Sequence, residues 1–325
     1  MAKEAYYCTV KELNKLGRDA IPAQLRSNTH LIYSSPATLA FNSPGAEGFG
    51  VKRAGLAVPD SIMLIVAPGC CGRNTSLISS MREYDNRFFY LMMDETDIVT
   101  GRHLKKIPKA VEEICNCCEK RPSVVMICIT CVDALLGTDM ERVCRKAEER
   151  VGLPVRPCYM YALTREGRKP PMVHVRQSLY SLLEPKKKKG NVVNLLGFFS
   201  PLIDECELYD LLHSAGVKTI HEISRCKDYE EYQTMSEANF NLVLHPEARF
   251  AAEDFHNRLQ IPFIELRRLY QTDKIASQYQ AFGKVLGVTF SDEVYREKAE
   301  ETVAKFKEKR PDASFAIGEC MNGDP

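Results

Sequence analysis

The chain has 325 residues, of which 45% are hydrophobic, so it is long and apolar enough to form about two globular domains. This composition excludes a disordered chain and a fibrous repeat. Lysine and arginine number 44 against 43 acidic residues, and a net charge of +1 excludes a global electrostatic field for nucleic acid or an anionic membrane.

In the first half of the chain, short runs rich in valine, isoleucine and leucine alternate with segments of helical period. This alternation predicts an α/β fold, in which a parallel sheet is covered by helices. The predicted strands are residues 61–67, 88–93, 123–128 and 154–159. The predicted amphipathic helices are residues 103–118, 140–151 and 173–183.

A tract of four lysines, PKKKKG at residues 185–190, follows this first unit. Like charges between two helix breakers are typical of a solvated linker, and a docking patch for an acidic partner is the alternative. The alternation then restarts, with strands predicted at residues 191–196, 217–223, 240–244 and 262–266, and helices at residues 204–215, 246–259, 273–286 and 292–309.

We therefore predict successive doubly wound, Rossmann-like domains with parallel sheets. The first covers residues 1–188 and the second residues 189–311, including its two return helices. One more strand is predicted at residues 313–318 and leads into a turn. Because a lone strand cannot close a domain, residues 312–325 are expected to begin a third domain that is truncated.

Cysteine is the unusual residue of this composition, with 13 copies. The N-terminus lacks an apolar signal core, and no run approaches the roughly 18 apolar residues of a membrane span. We therefore expect a cytoplasmic protein without a membrane or nucleic-acid partner. Cytoplasmic thiols are kept reduced, so an odd number of cysteines favours metal ligation over disulfides.

The most informative cysteines follow predicted strands. Cys70 and Cys71 lie in the turn APGCCGRN after the first strand, and Cys128 and Cys131 lie at the end of VVMICITC. The carboxyl ends of parallel strands border the ligand crevice of such sheets. Thiolates from two loops suit an iron–sulfur cluster, whereas the alternative is that these cysteines are small buried hydrophobic residues.

A rival assembly joins Cys115 and Cys118 with Cys128 and Cys131, a pair of CxxC motifs nine residues apart. This spacing is typical of a structural zinc site and would make the protein a zinc-stabilised binding module. Against it, the first pair lies at a predicted helix end and Cys128 ends a predicted buried strand. Zinc ribbons carry both pairs on tight turns.

Extended blocks of the sequence resemble the nitrogenase component 1 superfamily, which includes dark-operative protochlorophyllide reductase and the reductive cyclase of nickel-tetrapyrrole biosynthesis. The blocks follow the family order and extend over nearly the whole chain. They are SPGAEGFG, APGCCG, DIVTGRHLKKIPKAVEEI, ITCVDALLGTDMERV, GNVVNLLGFF, ANFNLVLHPEA and FAIGECMNGDP.

The resemblance implies that Cys71 and Cys131 are cluster ligands, with Cys70 replacing Cys71 if the alignment slips by one residue. The earliest cluster cysteine of the family is expected near Gly45, where this sequence has no thiol. The implied cofactor is an iron–sulfur cluster, either [4Fe-4S] or P-cluster-like. Two ligands per chain imply a cluster shared across an interface.

Two further positions concern a second cofactor site. The family's Gln-Ser-Leu-Gly-His run is matched from Gln177 to Leu179, but Tyr180 and Ser181 replace its last two residues. His245 stands where the family's cofactor-holding cysteine is expected, and the alternative is a hydrogen-bonded structural histidine at a strand end. The resemblance therefore implies a second metal cofactor or a tetrapyrrole near Gln177 and His245, and a substrate other than dinitrogen.

The function implied by the resemblance is that of an electron-transferring oxidoreductase subunit. No GxxxxGK[ST] motif occurs, so ATP chemistry is expected in a separate P-loop iron–sulfur reductase homodimer. The chain is expected to form a homodimer, or a heterotetramer with a paralogous component 1 subunit. The alternatives are a non-catalytic scaffold for an iron–sulfur or metal-tetrapyrrole species and the zinc-stabilised module.

Overall fold

The structure is a computed structural model that describes residues 10–17, 51–69, 84, 86–129, 136–159, 169, 171–314 and 323–324. Cys70, Cys71 and Cys131 lie outside the described residues, as does most of the strand predicted at residues 313–318. No helix among the described residues is long and apolar enough to cross a membrane.

The first half of the chain forms a four-stranded parallel sheet with the order β2-β1-β3-β4. β1 and β3 are buried along their whole length, and such continuous apolar runs are typical of parallel strands covered on both faces. The strands are β1 (Ile62–Ala67), β2 (Phe88–Met92), β3 (Val125–Ile129) and β4 (Val155–Tyr159).

Helices cover both faces of this sheet. The two long amphipathic helices pack side by side on one face, where Ile107, Val111 and Ala147 bury their side chains against the strands. The helices of the first half are α1 (Val10–Leu16), α2 (Val51–Ala54), α3 (Glu95–Thr100), α4 (His103–Cys117), α5 (Met140–Val151) and α6 (Pro171–Tyr180).

A second four-stranded parallel sheet follows, with the order β6-β5-β7-β8. Its strands are β5 (Val192–Leu196), β6 (Thr219–His221), β7 (Phe240–Val243) and β8 (Phe263–Glu265), and a short β9 (Arg268–Leu269) pairs with β10 (Gly323–Asp324). Its helices are α7 (Glu207–Ser214), α8 (Tyr229–Gln233), α9 (Arg249–Leu259), α10 (Thr272–Leu286) and α11 (Glu293–Lys309).

One hydrophobic core joins the two sheets. It contains Met126 and Cys128 of β3, Leu196 of β5 and Val243 of β7, all buried in a single cluster. Helix α6 lies in the middle of this cluster, because it packs against β4 of the first sheet and against α9 of the second half. The two halves therefore share α6 as a common packing element.

The predicted α/β architecture with parallel sheets is confirmed. The elements α1, α2, α3, α8, β9 and β10 were not predicted, and several predicted elements differ at their ends. Helix α6 ends at Tyr180, three residues before the predicted end. Arg258 donates to the carbonyl oxygens of Tyr180 and Leu183 at 2.9 and 2.6 Å and so caps the helix end. The helix predicted from Pro246 begins as a 3-10 turn, Pro246–Ala248, before α9.

Gly197 ends β5 in a conformation that only glycine adopts easily, with φ of +139°. A Cβ atom there would lie 2.7 Å from the Cβ of His245 and 2.8 Å from its backbone nitrogen. Such distances are far below van der Waals contact. The close approach of these two strand ends therefore requires glycine.

We predict that Gly197→Ala lowers the free energy of unfolding by about 3 kcal/mol or more, because backbone strain and overpacking each cost about 1–3 kcal/mol. Gly216→Ala is the matched control, since its φ is +86° and nothing lies within 4 Å of an added Cβ. It should lose only about 1–2 kcal/mol. Equal losses in urea denaturation would contradict the steric argument.

Candidate functional site

Each sheet has one position where the strand order reverses, between β1 and β3 in the first sheet and between β5 and β7 in the second. At these positions the carboxyl ends are hydrogen-bonded neighbours, with Val66 beside Ile129 and Leu196 beside Val243. Open α/β sheets bind ligands in the crevice outside the carboxyl ends at such reversals. Both reversals are therefore candidate sites.

The segments that carry the predicted cluster cysteines leave from the first reversal. Cys70 directly follows Gly69, the last described residue after β1, and Cys131 comes two residues after β3 ends at Ile129. The cysteine side chains lie outside the described residues. Both segments start from adjacent strand ends.

His245 lies at the second reversal, directly after β7, and its side chain is only 5% exposed. The backbone N–H of Glu247 donates to His245 Nδ1 at 3.2 Å, so the histidine caps the 3-10 turn. A neutral imidazole that accepts at Nδ1 carries its proton on Nε2. In this arrangement neither ring nitrogen offers a lone pair to a metal, and His245 does not fit as a metal ligand.

The charge around His245 keeps its ring neutral. Burial, followed by the positive charges of Arg176 and Arg268, lowers the pKa of His245 to about 3. The ring of Phe198 contacts the imidazole edge-on at a centroid distance of 5.7 Å, and the Arg268 guanidinium lies 5.1 Å from the centre of the same Phe198 ring. This end of the second sheet is therefore electropositive and partly aromatic.

Arg176 of α6 is buried, and its guanidinium makes four hydrogen bonds to three segments. Its Nη1 atom contacts Glu247 at 2.6 Å and the carbonyl oxygen of Met172 at 2.9 Å. Its Nε and Nη2 atoms both donate to the carbonyl oxygen of Gly197, at 3.0 and 2.6 Å. The arginine thereby fixes the ends of β5 and β7 relative to α6.

Gln177 lies one residue further along α6 and is half-buried. Lys169 Nζ donates to its Oε1 atom at 2.9 Å and lies 4.5 Å from the centre of the Phe250 ring. Phe250 belongs to the first turn of α9, which follows His245 along the chain. Gln177 is thus linked to α9 through Lys169. His245 lies in the β7–α9 connection, which Arg176 contacts at Glu247.

The sequence analysis missed Arg176, Glu247, Gly197 and Arg268. A usable signal existed for the arginine, since Arg176 falls on the apolar face of a predicted helix, at three- or four-residue spacing from Val173, Leu179 and Tyr180. A charged residue at such a position is buried only when it is paired. Its partner, 71 residues away, had no local signature.

The zinc assembly of Cys115, Cys118, Cys128 and Cys131 is wrong. Cys115 and Cys118 pack on the face of the first sheet that α4 and α5 cover, whereas Cys128 belongs to the core on the opposite face. Successive residues of a strand point to opposite faces, so the sheet itself separates these thiols. Among the described residues, no group of three histidine, cysteine or acidic side chains could hold a metal.

Cys144 and Cys158 are buried. Burial, followed by the neighbouring Cys128, raises the pKa of the Cys158 thiol well above its usual range. The Cys158 thiol also donates to the carbonyl oxygen of Val51 at 3.3 Å. Such protonated, enclosed thiols are inert packing groups.

The architecture agrees with the comparisons to known proteins. A family profile described as nitrogenase component 1 type oxidoreductase matches residues 47–314. The chain belongs to this family. Both candidate sites are therefore sites of a component 1 type protein.

Several curated component 1 type relatives are cofactor biosynthesis proteins. The nitrogenase iron-molybdenum cofactor biosynthesis protein NifE of Nostoc sp. is 27% identical over 64% of this chain and 44% of its own length. The nitrogenase molybdenum-iron protein alpha chain of Methanosarcina barkeri is 24% identical over 78% of this chain and 48% of its own length. The chain spans about half the length of the curated relatives it matches.

Solved component 1 type structures share the fold. The nitrogenase Cp1 structure at pH 6.5 superposes with a TM-score of 0.59 and 16% identity, covering 80% of this chain and 61% of that one. At this level of identity, the similarity establishes the architecture of the sheets.

We predict that acid destabilises the protein through His245. The unfolded chain binds a proton near the ordinary pKa of 6.5, while the folded chain resists protonation until about pH 3. The unfolded state therefore binds more protons between these values, and the stabilisation present above pH 6.5 is lost as the pH falls towards 3.

Urea unfolding of the wild type and of His245→Asn, from pH 7 down to pH 4, measures this effect. Asparagine can still cap the turn but does not titrate, so the stability difference between the two proteins should shrink as the pH falls. His213→Asn, at an exposed position, should run parallel to the wild type. Parallel curves for His245→Asn would remove the histidine from the acid response.

Proposed function

We propose that this chain is an iron–sulfur subunit of the component 1 type, which receives electrons from a separate ATP-dependent iron–sulfur reductase and delivers them to a substrate. The observation that carries the proposal is the first strand-order reversal. The adjacent carboxyl ends of β1 and β3 lead, within a few residues, into Cys70 and Cys71 on one side and Cys131 on the other.

The thiols of Cys71 and Cys131 would hold the cluster, with Cys70 as the alternative on the first segment. Cysteine thiolates are the usual ligands of iron–sulfur clusters, and a bound cluster supplies one-electron chemistry. Because a four-iron cluster commonly takes four protein ligands, two per chain favour a site shared with a second copy or with a paralogous subunit.

The proposal of a separate reductase rests on the absence of a P-loop motif from this sequence. It contains no GxxxxGK[ST] motif, so the chain lacks the loop that cradles nucleotide phosphates in P-loop proteins. A P-loop iron–sulfur reductase homodimer would therefore bind and hydrolyse ATP. This chain would contribute the docking surface and the acceptor site.

At the second reversal, the proposed ligand is a tetrapyrrole rather than a metal cofactor bonded to His245. The Nδ1 hydrogen bond directs the imidazole proton to Nε2, and Arg268 and Lys169 lie over aromatic rings on either side of the β7–α9 connection. Cationic side chains beside aromatic rings suit a flat ligand that carries carboxylates. Dinitrogen is not the proposed substrate, because Tyr180 and Ser181 replace the Gly-His end of the family run.

A second candidate function is a scaffold that holds an iron–sulfur or metal-tetrapyrrole species for another protein. The naming of several relatives as cofactor biosynthesis proteins favours it. Such a chain would use the same cysteines and bind the same species. It would pass the species on without turning over a substrate.

We predict that Cys71→Ala and Cys131→Ala each abolish most cluster binding, whereas Cys70→Ala leaves a partial signal, because Cys71 is the thiol that the family alignment assigns to the cluster. Iron and labile sulfide are measured on anaerobically purified protein. Cys115→Ala and Cys118→Ala are matched controls and should retain their iron, since these thiols lie on the α4–α5 face of the sheet. Equal iron content in all five variants would overturn the ligand assignment.

We predict that the cluster of the wild-type protein is reduced by a P-loop iron–sulfur reductase of the same organism only when MgATP is present. Electron paramagnetic resonance of the anaerobic mixture reports the reduction, and a non-hydrolysable ATP analogue is the control. A scaffold would give no ATP-dependent reduction and would instead lose its iron species to an acceptor protein. That second result would replace electron transfer by the scaffold function.

A further inference from the structure

Three thiols lie close together at the end of α4, outside the proposed cluster segments. Cys115 is in the last turn of the helix, Cys117 is its final residue and Cys118 is its C-cap. The neighbouring surface includes Asp60 and Ile62, at the start of β1. The three cysteines therefore lie at the amino edge of the first sheet, opposite the edge from which the cluster segments leave.

Two of these thiols share one cleft. Cys115 and Cys118 both line a cleft of about 350 Å³ together with Glu112, Glu119 and Arg121. Residues three apart are neighbours on one face of a helix, with Cβ atoms about 5–6 Å apart. Cys117 is exposed and lines a second cleft beside Asp60, which Cys118 also borders. Adjacent residues of a helix do not face each other, so Cys115 and Cys118 are the facing pair.

Two arginines and two glutamates line this cleft, so its side-chain charges balance. Arg121 favours the thiolate form of Cys115, because its charge opposes the burial that raises the pKa of this thiol. Of the two arginines at the cleft, Arg150 is paired with Glu112 at 2.9 Å, and Arg121 donates to the carbonyl oxygen of Val151 at 2.7 Å. Glu119 adds a further carboxylate.

We propose that Cys115 and Cys118 bind one thiophilic cation of the copper(I) class in two-coordinate fashion. Thiolates are soft ligands that select such ions. A tetrahedral ion such as zinc would require further protein ligands, and no group of three ligating side chains exists among the described residues. This site is independent of the proposed function and uses none of its cysteines.

Binding is a proton exchange without a redox step. Burial raises the pKa of both thiols, so each is protonated at neutral pH. One copper(I) ion displaces two thiol protons, which pass to water, and two Cu–S bonds form in place of two S–H bonds. Metal coordination deprotonates a thiol outright, so the raised pKa does not prevent binding.

The test uses the full chain carrying Cys70→Ser, Cys71→Ser and Cys131→Ser, which removes the proposed cluster thiols from the count. Copper(I) is supplied anaerobically as its bathocuproine disulfonate complex in the presence of excess glutathione. We expect one ion per chain, and copper X-ray absorption that shows two sulfur neighbours. Adding Cys115→Ser or Cys118→Ser should weaken binding by about 100-fold or more, since even an outer-shell partner is worth 10–100-fold.

Cys117→Ser in the same background is the matched control, because it removes a neighbouring thiol that faces the other cleft. It should change the affinity less than twofold, by about 0.4 kcal/mol or less. An equal loss for Cys117→Ser, three or more sulfur neighbours, or complete loss of copper to glutathione would each overturn the proposal. Because all variants lack the cluster thiols, none of these results bears on the proposed function.

Discussion

The buried bond set of Arg176 is the constraint on which the second site depends. One guanidinium holds the last carbonyl of β5, the carboxylate of Glu247 and the first turn of its own helix. Removing one partner of a buried ion pair typically costs about 3–5 kcal/mol, because the other charge stays uncompensated. The position of His245 follows from this bond set, since Gly197 and Glu247 are its immediate contacts.

The same arginine connects the two halves of the molecule. Helix α6 buries Val175 and Leu179 in the core shared by both sheets, so the guanidinium is anchored on the first sheet and bonded to the second. A single helix thus contacts β4, the edge strand of the first sheet, and is bonded to the carboxyl ends of β5 and β7.

Sequence reasoning recovered the strands and helices because their periods of two and 3.6 residues are local properties of the chain. The parallel arrangement of the strands was predicted from the alternation of strands and helices. Sequence reasoning could not recover the Arg176–Glu247 pair, whose members are distant in sequence, or the tautomer of His245, which depends on one backbone N–H. The spacing of Cys115, Cys118 and Cys128 suggested zinc because spacing does not report which face of a sheet a thiol occupies.

The lysine tract before β5 is a boundary in composition, but the chain cannot be divided there without cost. A fragment ending at residue 188 would carry Arg176 without Glu247 or the Gly197 carbonyl, and the remaining fragment would expose the apolar partners of α6. The first fragment would leave the Arg176 charge without its partners, and the second would expose apolar side chains that α6 covers. Each half therefore contributes to the burial and pairing of residues on the other side of the linker.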